Sequence, residues 1–129
     1  MRLTLLITAG PDSDVARQAC DFATAALAAG HVLTRVFFAG RGVAHGQRLA
    51  VTARDLPSLT ARWQALQRTH ALDLVLCVAA ALRHGVLDAD NARRWEQAVE
   101  SLADGFVISG LGQLAEAQLV GDRLVTFPD

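Results

Sequence analysis

Two cysteines, four histidines and twelve arginines carry most of the reactive chemistry open to this 129-residue chain, which contains no lysine. The missing lysine removes Schiff-base and other lysine-dependent routes from consideration. Of the two thiols, Cys77 has the more suggestive setting. It follows the short apolar run of residues 72–76 and precedes Val78-Ala79-Ala80-Ala81-Leu82. With a strand before it and a helical turn after it, the thiol stands at the carboxyl end of a strand, where open α/β sheets collect ligands and reactive groups. The free N–H groups and dipole of the following turn favour a thiolate, the form that attacks sulfur. Position alone leaves a second reading open, a small buried hydrophobe closing a strand.

The other candidates are weaker. Cys20 lies within a helical pattern, one residue outside its strongest apolar stripe and beside Asp21, whose charge opposes a thiolate, so it reads as packing. No C-x-x-C or H-x-x-x-H spacing occurs, so neither a zinc site nor another metal is expected. Gly40-Arg41-Gly42 and Gly46 resemble a phosphate loop, but the third glycine falls one place late and no clear helix follows, which suits turn glycines better. Ser109-Gly110 lacks the earlier glycine of a nucleophile elbow. Arg83 and His84, six and seven residues past Cys77, could steady a thiolate or receive anionic sulfur, although helix-end cations that complement the dipole explain both.

The elements needed to position Cys77 can be traced along the chain. Residues 3–8 form a short apolar run broken by Gly10-Pro11, as expected of a strand buried on both faces. Val15, Ala19, Phe22, Ala23, Ala26 and Leu27 then recur at helical spacing, with Gly30 able to end the helix in a left-handed conformation. Residues 32–39 are rich in β-branched and aromatic side chains and make the second strand. Residues 40–56 carry no period and predict a long loop bordering the active site. Pro57 opens a helix striped by Leu59, Trp63 and Leu66 and ending near His70. The third strand precedes Cys77, and residues 78–83 form a short helical turn. Asp88 caps a helix bearing Ala92, Trp95, Val99 and Leu102 that closes at Gly105. Residues 106–108 make a fourth strand, 111–119 a last helix with Leu114 and Ala115 inward, and 124–127 a terminal strand. The prediction is one domain over residues 1–129, of the α/β class, a three-layer α/β/α sandwich on a mainly parallel five-stranded sheet.

Composition is consistent with one ordered domain. Half the residues are hydrophobic (52%), and the net charge of −1 gives no basic excess for a nucleic acid or a membrane surface. The N-terminal apolar run is too short for a signal peptide, and no stretch approaches the roughly 20 apolar residues of a membrane helix. A cytoplasmic location with reduced thiols is expected.

The segment Cys77-Val78-Ala79-Ala80-Ala81-Leu82-Arg83 with Gly85-Val86 resembles the active-cysteine region of the DsrE/TusD family of sulfurtransferase subunits. Ser109-Gly110-Leu111-Gly112 followed by Leu114-Ala115-Glu116-Ala117 is a second match, and Gly30-His31, Val36-Phe37-Phe38 and Gly42-Val43 fall in the same order. The chain departs from the family at His84, where a second arginine often follows Arg83. The resemblance implies a flavodoxin-like α/β sandwich and a subunit that carries sulfur as a persulfide on Cys77, with no cofactor. It also implies sister subunits in a heterohexamer, with a homo-oligomer as the alternative assembly, an upstream persulfide donor, and an acceptor protein with a C-terminal cysteine. The family serves either 2-thiolation of the tRNA wobble uridine or dissimilatory sulfur oxidation. The competing expectations are a non-catalytic structural subunit and a small-ligand or nucleotide-binding module of the same fold.

Overall fold

The computed structural model describes every residue except 53–57, 111, 113 and 115–120. Among the described residues, apolar runs and helical stripes become ten elements. They are β1 (Arg2–Ile7), α1 (Asp14–Ala28), β2 (Val32–Phe38), a 3₁₀ helix (Gly40–Gly46), α2 (Leu59–His70), β3 (Leu74–Cys77), α3 (Val78–Arg83), α4 (Ala89–Arg94), β4 (Phe106–Ser109) and β5 (Arg123–Phe127). The five strands form one sheet in the order β4-β3-β2-β1-β5, and every pairing is parallel. The chain therefore steps from β1 to β4 in one direction and then returns across the sheet to β5. The last predicted helix, residues 111–119, and the role assigned to Pro57 fall largely outside the described residues.

Side-chain size decides how the main helix sits. The buried face of α1 is Ala16, Ala19, Cys20, Ala23 and Ala26, a strip of small residues that brings the helix close to the sheet. That face is rotated from the predicted one. Cys20 lies inside it, completely buried, while Phe22 is moved to the rim against the ring of Phe127, with centroids 5.6 Å apart. On the sheet, the register slips between Leu3 and Thr4, leaving Thr34 as an extra residue in β2. This bulge lets Leu33 and Val36 both face the core despite their odd spacing. One apolar cluster then joins α1, α2 and α3 to Leu5, Ile7, Val36, Phe38, Leu74 and Leu76. Trp63 of α2 is fully buried, its ring edge-on to Phe38 at 5.6 Å.

Helix ends follow backbone hydrogen-bonding rules. Ser13, Ser58 and Asp88 each cap a helix, their side chains accepting from Val15 N, Ala61 N and Asn91 N. At the other ends of α1 and α3, Gly30 and Gly85 take positive φ, and the amides of His31 and Val86 reach back to the carbonyls of Ala26 and Ala81. The same closure ends α4 at Arg94, with Gln97 N bonded to Ala92 O at 2.8 Å, but a glutamate, Glu96, holds the left-handed position at φ 55°. The predicted helix through Val99 and Leu102 is therefore corrected to six residues, and Trp95 and Val99 are exposed. Without a glycine to mark it, this end carried no signal in the sequence. Glu96→Gly removes a strained side chain at an exposed site, and an urea titration should show a gain of roughly 0.5 to 1 kcal/mol.

The predicted loop over residues 40–56 begins as the 3₁₀ helix, packed under the carboxyl ends of the strands. His45 is completely buried there, its Nε2–H donating to Ala9 O at 3.1 Å, while Nδ1 has no partner among the described residues. Burial holds its pKa down to about 4, the bond to Ala9 opposing the shift more weakly. An unfolded histidine titrates near 6.5, so below that pH the unfolded chain binds the extra proton. Stability linked to His45 is thus intact above pH 6.5 and is lost as pH falls toward 4. Between pH 7.5 and 5.0 the loss comes to about 2 kcal/mol. Urea titrations at those two pH values should show that difference in the native chain and a much smaller one in His45→Gln.

Candidate functional site

Cys77 ends β3 and is the cap residue of α3, with backbone angles φ −61° and ψ 124°. Its thiol is free and half-buried. The strand presents it beyond the carboxyl edge of the sheet because the apolar run of β3 is buried up to Leu76 and α3 begins at once. Gly46 keeps that junction tight: a Cβ there would lie 2.5 Å from the Leu76 side chain.

Two stretches far apart in the chain meet at this point. Cys77 and Ser109 are register partners in the parallel pair β3–β4, so their side chains share a face of the sheet. The Cys77–Arg83 segment and the segment beginning at Ser109-Gly110 are thereby neighbours. Beside them opens a cavity of about 530 Å³ whose walls include Val78, Asp88, Asp90, Arg94, Ser109 and Gly110. Its walls come from Val78, from residues 88–94 and from residues 108–110. The described part of the 40–56 segment lines two other cavities, and its Gly46 packs against Leu76, next to Cys77.

The remaining candidates are dispersed. Cys20 is buried in α1, and desolvation pushes its thiol up to about 11, with Arg62 opposing and Asp21 adding a smaller increment. It is inert packing, as expected, although burial and not Asp21 is the main cause. Arg83 and His84 are exposed at the far end of α3. Arg83 faces a separate apolar groove of about 860 Å³ formed with Leu49, Leu82, Trp95 and Val99. The cation that lines the cavity walled by Val78 and Ser109 is Arg94, which sequence spacing did not single out because it lies seventeen residues downstream of Cys77 in another helix. Of the glycines at 40–46, Gly40 takes a left-handed φ of 54° as a turn residue, while Gly42 and Gly46 are packing residues. Gly42 sits against the carbonyl of Ile7, where a Cβ would lie 2.1 Å from the oxygen. Among the described residues no group of His, Cys, Asp and Glu could hold a metal ion, and no helix is long and apolar enough to cross a membrane.

Known proteins share this fold. A solved structure described as the ychN protein from E. coli superposes with a TM-score of 0.77 at 20% identity, covering 98% of this chain and 100% of its own, which shows the fold. A sulfurtransferase TusD homolog of Vibrio parahaemolyticus is 47% identical over 115 residues, 89% of this chain and 88% of its own. The sulfurtransferase TusD of Photorhabdus laumondii is 43% identical over 95% of each chain, and that of Enterobacter sp. 44% identical over 98% of this chain and all of its own. The DsrE/DsrF-like family matches residues 1–127, and with a thiol at the β3–α3 junction on a five-stranded parallel sheet, the chain belongs to that family.

Proposed function

We propose that this chain is a sulfurtransferase that carries sulfane sulfur on Cys77 and passes it to a partner in a sulfur relay. The observation that supports this reading most is the contrast between the two thiols: one half-exposed at a strand end beside an open cavity, the other sealed in the core and held protonated. The Cys77 thiolate attacks the outer sulfur of a donor persulfide R–S–SH. The new bond forms at Cys77 Sγ, the donor's S–S bond breaks, and the donor leaves as R–S⁻ with the bonding pair. An acceptor thiolate then attacks the outer sulfur of Cys77–S–SH and releases Cys77 as thiolate. Sulfur moves without net oxidation, so no redox partner is consumed.

The relatives at 42–47% identity bear the name TusD, and of the two pathways that the family serves we favour 2-thiolation of the tRNA wobble uridine over sulfur oxidation. In this reading the chain works in the cytoplasm as one subunit of a larger complex, receives sulfur from a persulfide donor, and hands it to a protein acceptor. Trp95, Val99, Leu49 and Val107 are exposed apolar side chains of the kind that subunit contacts cover. Intact-mass measurement after incubation with a persulfide-loaded donor tests the carrier role. One added sulfur on the native chain and on Cys20→Ser, and none on Cys77→Ser, supports it. An unmodified native chain, or an adduct that survives Cys77→Ser, refutes it.

A further inference from the structure

The cavity beside Cys77 contains one cation, and its surroundings indicate what it binds. Among the described residues, the ionisable groups on its walls are Asp88, Asp90 and Arg94. Both carboxylates are engaged. Asp88 caps α4, accepting from Asn91 N and Asn91 Nδ2 at 2.9 Å each, and Asp90 pairs with Arg93. Arg94, the last residue of α4, is exposed and has no carboxylate or other hydrogen-bond partner among the described residues. The walls contributed by Ile108, Ser109 and Gly110 carry no charge. On α3 the only ionisable groups are Arg83 and, just beyond it, His84, with Arg83 about 9 Å along the helix axis from Cys77 and facing another groove.

We propose that Arg94 is the cation that holds the outer sulfur of the Cys77 persulfide as its anion, a role that rests on Cys77 being the sulfur carrier. Loading extends the side chain by about 2 Å, one S–S bond length, on the sheet face it shares with Ser109, which together with Val78 belongs to the cavity wall. The proton of Cys77–S–SH is released to solvent, and the resulting Cys77–S–S⁻ is left with its charge on the terminal sulfur. A guanidinium on the cavity wall stabilises that charge, keeps the sulfur ionised at neutral pH and orients it outward. Arg93, one residue earlier but paired with Asp90, does not take this role.

The test measures the ionisation of the loaded persulfide directly. Native, Arg94→Gln, Arg94→Lys and Arg93→Gln chains are loaded from the same donor, and alkylation of the persulfide by iodoacetamide is followed by intact mass from pH 4 to 9. Loss of Arg94 is expected to raise the midpoint by about one unit and to slow alkylation below it roughly tenfold. Arg94→Lys should keep most of the native profile, and Arg93→Gln all of it. A structural role for Arg94 would alter thermal stability or loading and leave the midpoint in place. Normal loading with identical profiles in the native and Arg94→Gln chains overturns the assignment of Arg94 while leaving Cys77 as carrier. Loading that fails in the native chain, or persists in Cys77→Ser, removes both.

Discussion

Sulfur transfer through the Cys77→Ser chain should fall to the background of direct exchange between donor and acceptor, while Cys20→Ser keeps the native rate. A serine hydroxyl at position 77 fits the same space but is neither ionised at neutral pH nor able to form an S–S bond, so loading cannot begin. Cys20 offers no substitute. It is completely buried in α1 and its pKa stands at about 11, so only a small fraction is thiolate at neutral pH and that fraction is out of reach. Native-state alkylation gives a second readout of the same asymmetry. One equivalent of iodoacetamide should add to the folded chain, at Cys77, and a second only after denaturation. Equal labelling of both thiols in the folded state would contradict the structural distinction between them.

Gly42→Ala is expected to cost about 3 kcal/mol or more, one of the larger losses available from a single methyl group. The added Cβ would lie 2.1 Å from the carbonyl oxygen of Ile7 and 3.0 Å from its carbon. Ile7 cannot yield. It ends β1, which is hydrogen-bonded on both sides by β2 and β5, and its carbonyl also accepts from Ala39 N at 3.0 Å. The 3₁₀ helix would have to lift instead, breaking the His45–Ala9 bond and withdrawing the surface against which α3 packs. In urea the midpoint should fall by roughly 2 M with an unchanged slope. A shift below about 0.5 M would mean that the close approach relaxes at little cost. Because α3 carries the Cys77 junction, sulfur loading should also weaken in this variant, without the total loss expected of Cys77→Ser.

Much of this architecture could be read along the chain. The apolar runs before Gly10, Gly40 and Cys77 are strands because only a buried parallel sheet satisfies uninterrupted hydrophobicity at that length. Ser13 and Gly30 bracket α1, and Asp88 opens α4, through local hydrogen bonds that involve neighbours in sequence and nothing else. Cys77 was placed at a strand-to-helix junction by the same local logic, and its flanking residues carried the family resemblance.

What depended on contacts between distant residues was not readable in this way. The close seating of α1 on the sheet, which draws Cys20 inward and turns Phe22 out, follows from alanines meeting a particular strand surface. The end of α4 depends on a left-handed Glu96 that no propensity signals. The site itself is the clearest case. Cys77 and Ser109 are partners only because β3 and β4 pair in parallel with one register out of several, and Arg94 lines the adjoining cavity only because the fold sets α4 beside that strand end. Residue order places Cys77 at a strand-to-helix junction, and the residues flanking it carry the resemblance that marks it as the expected sulfur carrier. Tertiary packing decided which thiol is exposed, which cation lines the adjoining cavity and which glycines are spacers, because burial and distance are properties of the folded arrangement and not of spacing along the chain.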